Sequence, residues 1–271
     1  MKLARASVDI VEQASGINGI YEAIEKAGRI SHKSSADLSP DSSKNFVERM
    51  IKMGHFSPLE FGTVYLEIPL SEGIVFPMNH FSKVVYQNGV QYVTTNLRVI
   101  YEKDLTKLLK YMCDEPSCYH GTRVMVHFIC DRGVSSEFNR HRANSMLEQS
   151  SRYCNFSKDT FGNEISVIIP PKLYGENLNR DDLEKDPTVL WWLYANGACE
   201  EAYMALLKLG WKPEEARTVL PLDLQTELYH CAFISDWEHF FDLRCSVKAH
   251  PSAKELAIQL RSKFVKLGYI K

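Results

Sequence analysis

The sequence has neither a long apolar run nor an excess of charge of one sign. Its 271 residues carry 32 Lys and Arg against 34 Asp and Glu, a formal net charge of −2. Bulk electrostatic binding of nucleic acid or of an anionic membrane usually needs a strongly basic protein, and a bilayer span needs ~20 apolar residues. The most apolar stretch, residues 189–195, is far shorter. We therefore expect neither nucleic acid nor a membrane as partner, although a local basic pocket fits this composition.

Cysteine is present without a recognisable metal-binding pattern. The closest grouping among the seven cysteines, Cys113-x4-Cys118-x-His120, lacks a second ligand pair at zinc-finger spacing. An odd count without such a pattern is typical of reduced thiols, and the first residues lack the apolar region and cleavage site of a secretory signal. We predict no metal site and a cytoplasmic location.

Two common nucleotide-binding loops are also missing. No G-x-G-x-x-G follows a predicted strand and no Walker loop occurs, so a dinucleotide would not be bound in the Rossmann manner. Strand and helix patterns follow one another without strict βαβ alternation. This order predicts an α+β fold with a mixed or antiparallel sheet flanked by helices, in a single domain over residues 1–271.

Local signals place the main elements. Asn88-Gly89 lies between two strand-like runs and predicts a hairpin, and residues 97–101 are predicted to continue the sheet. Two Ser-x-x-Glu capping boxes, at Ser235 and Ser252, are predicted to open the last two helices. Apolar spacing predicts an amphipathic helix over residues 187–209, preceded by a charged loop over 173–187. Further strands are predicted over residues 63–69, 122–130, 167–169 and 226–233.

The most unusual segment is residues 140–152, which is rich in Arg, His, Asn and Ser. On a helix, one face would carry Glu137, Arg140, His141, Asn144 and Glu148, with Arg152 near the helix end. A solvated face is the plain explanation of such a stripe. These side chains nevertheless suit planar, bidentate recognition better than Lys and Glu would. Neighbouring arginines also repel unless an anion lies among them, so a phosphate or pyrophosphate site is the sharper hypothesis.

Three ordered motifs carry a resemblance to a known family. Arg140-His141-Arg142 followed by seven residues and Ser150 matches an RHR-x7-S pattern. Residues 54–60, GHFSPLE, precede it, and the ARTVLPL segment at 216–222 follows, with Asp242-Leu243-Arg244 further on. Together they resemble the flavin-dependent thymidylate synthases (ThyX), over residues 54–244.

The resemblance implies a ThyX-like fold and a homotetramer. It also implies an enzyme that methylates dUMP at C5 to dTMP. Methylenetetrahydrofolate would supply the carbon, and FAD reduced by NADPH would supply the hydride. No cysteine nucleophile is needed, so Cys154, just beyond the motif, is expected to be a packed thiol.

The resemblance also assigns site residues. Arg244 and His55 are the predicted catalytic residues: Arg244 would favour ionisation of the uracil at N3, and His55 would stack on or orient the flavin and folate, with a core histidine as its alternative. The predicted FAD-binding residues are Ser57 (from a neighbouring subunit), Arg140, His141, Arg142, Glu148 and His239. The predicted dUMP-binding residues are Glu137, Arg140, Glu148, Gln149, Ser150, Ser151, Arg152, Arg217 and Arg244.

Several positions depart from the family pattern. Phe233 and His239 stand where the family has asparagines that bind FAD, and Glu137 stands where many members have Gln. The interval from Glu60 to Arg140 is longer than usual, which predicts an insertion around residues 70–125. This insertion is predicted to pack beside the core sheet or at a subunit interface. It would either embellish the structure or reshape the folate or NADPH entrance.

Two other functions fit parts of the sequence. One is a related C5-methylase of another pyrimidine nucleotide such as UMP, which the substitutions at Glu137 and Phe233 would permit. The other is a nucleotide-binding sensor or RNA-binding module without catalysis, which would not need Arg244.

Overall fold

The computed structural model describes residues 1–33, 39–174 and 187–271. In these ranges, strands β1 to β9 cover Lys2–Ala4, Ser7–Val11, Thr63–Pro69, Lys83–Gln87, Val90–Asn96, Arg123–Asp131, Ser145–Glu148, Ser166–Ile168 and Gln225–Phe233. Helices α1 to α8 cover Gly16–Gly28, Pro40–Lys52, Leu97–Glu102, Arg132–Phe138, Pro187–Lys208, Pro213–Ala216, Ile234–Arg244 and Pro251–Lys266. Most of the loop predicted over 173–187 lies outside the described residues.

A four-stranded antiparallel sheet in the order β2-β6-β9-β7 forms the centre of the molecule. Because side chains alternate along a strand, Phe128 and Leu228 point to one face and pack on Trp237 of α7 and Phe264 of α8. The other face packs on α1 through residues such as Met125, Tyr229 and Ala23. The central sheet is thus covered by helices on both faces.

A second sheet, β3-β5-β4, holds much of the predicted insertion. Asn88 and Gly89 have φ of 50° and 76° and join β4 to β5, as a tight turn between right-twisted strands requires. Leu66 and Val93 pack on Ile24 of α1 and Phe46 of α2. The second sheet therefore lies beside the central one and shares α1 with it.

The predicted α+β class is confirmed, since helices accompany several antiparallel sheets. A short parallel pairing of β1 with β8 makes the strand arrangement mixed. In the described part of the chain no helix is long and apolar enough to cross a membrane. All seven cysteines are free thiols, and Cys154 is buried.

The helix predicted through residues 140–148 is wrong. Helix α4 ends at Phe138, residues 139–144 form turns, and Ser145–Glu148 is strand β7, which pairs with β9. Pairing with β9 satisfies backbone groups along a sheet edge. Because this stabilisation comes from a distant part of the chain, the spacing of residues within 140–148 does not indicate it. Glu137 and Glu148 therefore do not share a helix face.

Two further local predictions are also wrong. Residues 97–102 form helix α3 instead of continuing the sheet, because the side chain of Asn96 accepts a bond from the Val99 N–H and starts a helix. The N-caps of α7 and α8 are Phe233 and His250, with no side-chain cap. Ser235 instead accepts a hydrogen bond from Lys83 Nζ at 2.9 Å.

Candidate active site

A cavity of about 640 Å³ lies between the end of α4, the turns after it, and α7. Asp131 caps α4 by accepting from the Val134 N–H at 2.6 Å, which fixes the helix to the end of β6. Phe138 of α4 and Phe240 of α7 pack with ring centroids 5.0 Å apart. The lining of this first cavity includes Glu137, Arg140, His141, Arg142, Asn144, His239 and Arg244. The structure thus brings together much of the predicted set.

Arg244 is held on three sides by its neighbours. Its Nε donates to Nε2 of His141 at 3.0 Å, its Nη1 donates to Oε2 of Glu137 at 2.5 Å, and its Nη2 donates to the main-chain oxygen of Glu137. The Arg244 side chain is only 13% exposed. Hydrogen bonding from Arg244 lowers the pKa of Glu137, so this carboxylate is ionised at neutral pH.

Two buried histidines lie beneath the same cavity. Burial, together with the nearby charges of Arg244 and His239, lowers the pKa of His141 to about 4, so its ring is neutral and can accept from Arg244. Burial lowers the pKa of His230 to about 3. Asn144 Nδ2 lies 3.2 Å from His230 Nδ1, and the Asn144 N–H donates to the His141 carbonyl oxygen at 3.0 Å. The two histidines therefore add polar but uncharged groups next to the Arg244–Glu137 pair.

Arg140 and Arg142 are two of the exposed cations that line the first cavity, together with Lys248. Among the described residues, neither guanidinium has a carboxylate oxygen within ion-pair distance of 4.0 Å. Two unpaired arginines at the mouth of one cavity are suited to an anionic ligand through charge-assisted, bidentate bonds.

A second cluster surrounds Glu148, at the end of β7. Arg132 Nη1 and Thr226 Oγ1 donate to Glu148 Oε1 at 2.7 and 3.1 Å, and Asn139 Nδ2 donates to Oε2 at 3.0 Å. Sequence reasoning missed these three partners. The only signal for them was the Asp131-Arg132-Gly133 turn directly after a predicted strand.

The remaining predicted dUMP residues lie just beyond Glu148 and outside the first cavity. Arg217 Nη1 donates to Ser151 Oγ at 3.2 Å, and Arg152 forms an exposed pair with Glu214 at 3.5 Å. Gln149 is buried, and the N–H of Ser150 donates to the main-chain oxygen of Ser31. Within one chain, the predicted dUMP-binding residues therefore form two groups, one that lines the first cavity and one outside it.

His55 and Ser57 line a different cavity of about 850 Å³, together with Arg29, Arg49 and Tyr153. This cavity shares no lining residue with the first one. Both His55 and Ser57 are exposed, so the alternative of a core histidine is wrong for His55.

The two departures from the family's asparagines differ in their surroundings. His239 lines the first cavity, where its ring centroid lies 6.1 Å from that of His141. Phe233 is 3% exposed, and Lys83 Nζ lies 4.7 Å from its ring centroid. Phe233 therefore serves packing, and its side chain offers no contact in the first cavity.

One group elsewhere could offer metal ligands. The ligand atoms of Glu67, Cys113 and His120 lie within 4.8 Å of one another. Nδ1 of His120 already accepts from the Ser117 N–H at 3.0 Å, and Nε2 lies 3.2 Å from the main-chain oxygen of Leu66. Because both ring nitrogens are engaged, this histidine has none free for an ion.

A family model described as thymidylate synthase complementing protein (Thy1) matches residues 80–267. The chain belongs to this family. The resemblance found in the sequence motifs is confirmed, and with it the prediction of an enzyme of the flavin-dependent thymidylate synthase type. The matched range includes Arg140 to Arg152, Arg217 and Arg244, and it begins after His55 and Ser57.

Named relatives agree with the family match. The chain is 31% identical over 129 residues to the flavin-dependent thymidylate synthase of Geobacter sulfurreducens, covering 48% of this chain and only 50% of that relative. It is 27% identical over 167 residues to the enzyme of Synechocystis, covering 59% and 75% of the two chains. With the enzyme of Pseudothermotoga lettingae it shares 24% identity over 197 residues, covering 72% and 86%.

Proposed function

We propose that this protein methylates dUMP at C5 to form dTMP, with methylenetetrahydrofolate as carbon donor and NADPH-reduced FAD as hydride source. The observation that carries the proposal is the first cavity, where a fixed Arg244 lies beside the unpaired Arg140 and Arg142. We also propose a ThyX-like fold in a single domain over residues 1–271, and a cytoplasmic protein.

The residues of the first cavity fit FAD. Its pyrophosphate needs cations and N–H donors, which Arg140 and Arg142 offer without a competing carboxylate within ion-pair distance in the described chain. His141 and His239 add ring nitrogens, and Ser57 and His55 would come from a neighbouring copy. When bound, FAD supplies the hydride chemistry, and the protein supplies position and field.

Arg244 is the residue proposed to activate the uracil. A guanidinium has five N–H groups, and the bonds to His141 and Glu137 use one on each nitrogen. The other two remain for a ligand. A fixed cation beside the imide stabilises the anion formed at N3, which raises electron density at C5. Neutral His141 keeps the guanidinium oriented without adding a positive charge.

Arg152, Arg217, Ser150 and Ser151 are proposed to bind the dUMP phosphate, because arginines and hydroxyl groups match its acceptor oxygens. Within one chain they do not line the cavity that holds Arg244, so a complete site would draw on more than one copy. This division supports the proposal of a homotetramer with shared sites.

The test begins with the absorbance spectrum of the purified protein, followed by NADPH oxidation and dTMP formation with and without dUMP. We expect a flavin spectrum and dTMP that forms only when folate, NADPH and dUMP are all present. A colourless protein that acquires no FAD would favour the non-catalytic alternative, and faster turnover of UMP would favour another pyrimidine nucleotide.

Arg244→Ala is the sharpest variant for this proposal. It should keep the flavin spectrum, because Arg140 and Arg142 remain, and it should lose dTMP formation by about a hundredfold or more because transition-state stabilisation is removed. Unchanged turnover would show that Arg244 has no part in the reaction.

A further inference from the structure

We propose that Arg132 is a positioning residue for the nucleotide: it fixes the carboxylate of Glu148 and the chain segments on either side of it in the arrangement that binds dUMP. This inference rests on the proposed function and on the prediction from the family resemblance that Glu148 binds dUMP. Arg132 lies outside the RHR-x7-S motif and precedes it by eight residues in the sequence.

The first observation is the geometry around Glu148. Arg132 Nη1 donates to Oε1 of Glu148 at 2.7 Å and approaches the main-chain oxygen of Gln149 at 3.4 Å. Thr226 and Asn139 occupy two more acceptor positions of the same carboxylate. A carboxylate accepts about four hydrogen bonds, so three internal donors fix its plane and leave about one position for a ligand.

The second observation is the main chain of Arg132. Its N–H lies 3.0 and 3.1 Å from the carbonyl oxygens of Leu222 and Leu224, in the segment that follows Arg217. Its side chain holds the segment that leads to Ser150. One residue therefore ties together two chain segments that both carry predicted phosphate-binding side chains.

The third observation concerns exposure. The Arg132 side chain is 32% exposed and that of Glu148 is 18% exposed. A partly exposed ion pair contributes only modestly to folding, so stability alone does not account for three bonds that converge on one carboxylate. Loss of the guanidinium would leave Glu148 without its cation, and its side chain would be free to adopt other rotamers.

The experiment compares Arg132→Gln and Arg132→Lys with the wild-type holoenzyme. For Arg132→Gln we expect the KM for dUMP to rise about ten- to a hundredfold, the loss typical of a charge-assisted bond, with kcat within about threefold of wild type. Arg132→Lys should recover part of the affinity, because an ammonium group can replace one donor but not the fork. FAD content and melting temperature should stay close to wild type.

A double-mutant cycle with Glu148→Gln tests whether the two residues act as a unit. The KM for dUMP of the double variant should be no higher than that of the weaker-binding single variant, because each change alone already disrupts the same hydrogen-bonded arrangement. Lys263→Gln is the control for loss of a surface ion pair elsewhere, since it breaks the more exposed pair of Lys263 with Asp9 at 2.6 Å. It should leave the dUMP KM unchanged.

Three outcomes would overturn the inference. They are a wild-type KM in Arg132→Gln, additive losses in the double variant, or a fall in kcat that accompanies a lower melting temperature without a change in KM. If wild-type protein forms no dTMP, the proposed function is wrong. In that case dUMP affinity measured by calorimetry still tests Arg132: a tenfold loss in Arg132→Gln supports it and equal affinity refutes it.

Discussion

Arg244 contacts an acid, Glu137, and a neutral base, His141, at the same time. The acid reduces the positive charge that a ligand meets at this site. Glu137 Oε2 lies 2.5 Å from Nη1, so in the described arrangement the carboxylate offsets much of the positive field of the guanidinium. An anionic substrate must compete with that carboxylate. The Gln that many family members carry at this position would keep a hydrogen bond to Arg244 without the charge.

Glu137→Gln should therefore lower the KM for dUMP, by about three- to tenfold for a partly exposed charge near the site. The gain should shrink as salt is added, because screening weakens it. Asp236→Asn is the control: it neutralises another carboxylate that lines the first cavity. It measures how much the KM for dUMP changes when any negative charge is removed there. A higher KM or a large loss of kcat in Glu137→Gln would show that the carboxylate is needed to orient Arg244.

The buried His141 and His230 predict how stability depends on pH. The pKa of His141 is lowered to about 4 and that of His230 to about 3 in the fold, so between these values and the ordinary value near 6.5 the unfolded chain binds protons that the folded chain does not. The free energy of unfolding should fall as pH drops from about 6.5 to 5, by up to about 1.4 kcal/mol per pH unit for each histidine.

Urea unfolding at several pH values between 7.5 and 5 measures this slope. The carboxylates with lowered pKa, such as Glu137, stay ionised in the fold throughout that window, and they add to the slope only near pH 5, where unfolded carboxyl groups begin to bind protons. His141→Gln should flatten the slope, whereas the exposed His80→Gln should keep it. An unchanged slope in His141→Gln would contradict the assignment of a neutral ring to His141.

At the scale of elements, the sequence predicted what depends on neighbours along the chain. The Asn88-Gly89 hairpin and the strand over residues 123–131 carry strong local signals, and both occur. Strand β7 was missed because its stability comes from β9, about 80 residues away. Helix α3 was missed because Asn96, which caps the start of the helix, is also the last residue of strand β5.

The same distinction explains the candidate site. Motif spacing found Arg140, His141 and Arg244, and the fold places them in one cavity. It could not find Arg132, because only the pairing of β7 with β9 brings Glu148 and Thr226 beside the start of α4. It also could not reveal that Glu137 and Arg244, 107 residues apart, form a pair.

The Asn88-Gly89 hairpin allows a prediction about stability, and a second glycine serves as a control for which the opposite change is expected. Gly89 has φ of 76°, and a Cβ there would meet no atom within 4 Å, so Gly89→Ala should cost about 1 kcal/mol of unfolding free energy through backbone strain alone. Gly197, inside α5, also has open space around a Cβ, and Gly197→Ala should add about 0.5–1 kcal/mol. Chemical denaturation measures both, and equal signs would refute the argument.

At the scale of the whole molecule, the predicted catalytic residues lie in separate places. Arg244 lines the first cavity and His55 lines another, and the two cavities have no lining residue in common. The near-neutral net charge of the protein does not reveal these sites, because the arginines are grouped locally and acidic side chains elsewhere balance their charge. If the reaction needs both residues, the proposed homotetramer would bring the cavity of one copy against a surface of another.

Subunit complementation tests this sharing directly. Arg244→Ala and His55→Ala chains should each be nearly inactive alone, whereas co-expression should restore up to about a quarter of wild-type activity. The reason is that random association gives a site both intact residues in about one case in four. Arg244→Ala co-expressed with His239→Ala is the matched control. Both of these residues line the same cavity of one chain, so no mixed site regains the pair and activity should stay low. Equal recovery in the two mixtures, or none in the first, would show that Arg244 and His55 do not meet across a subunit boundary.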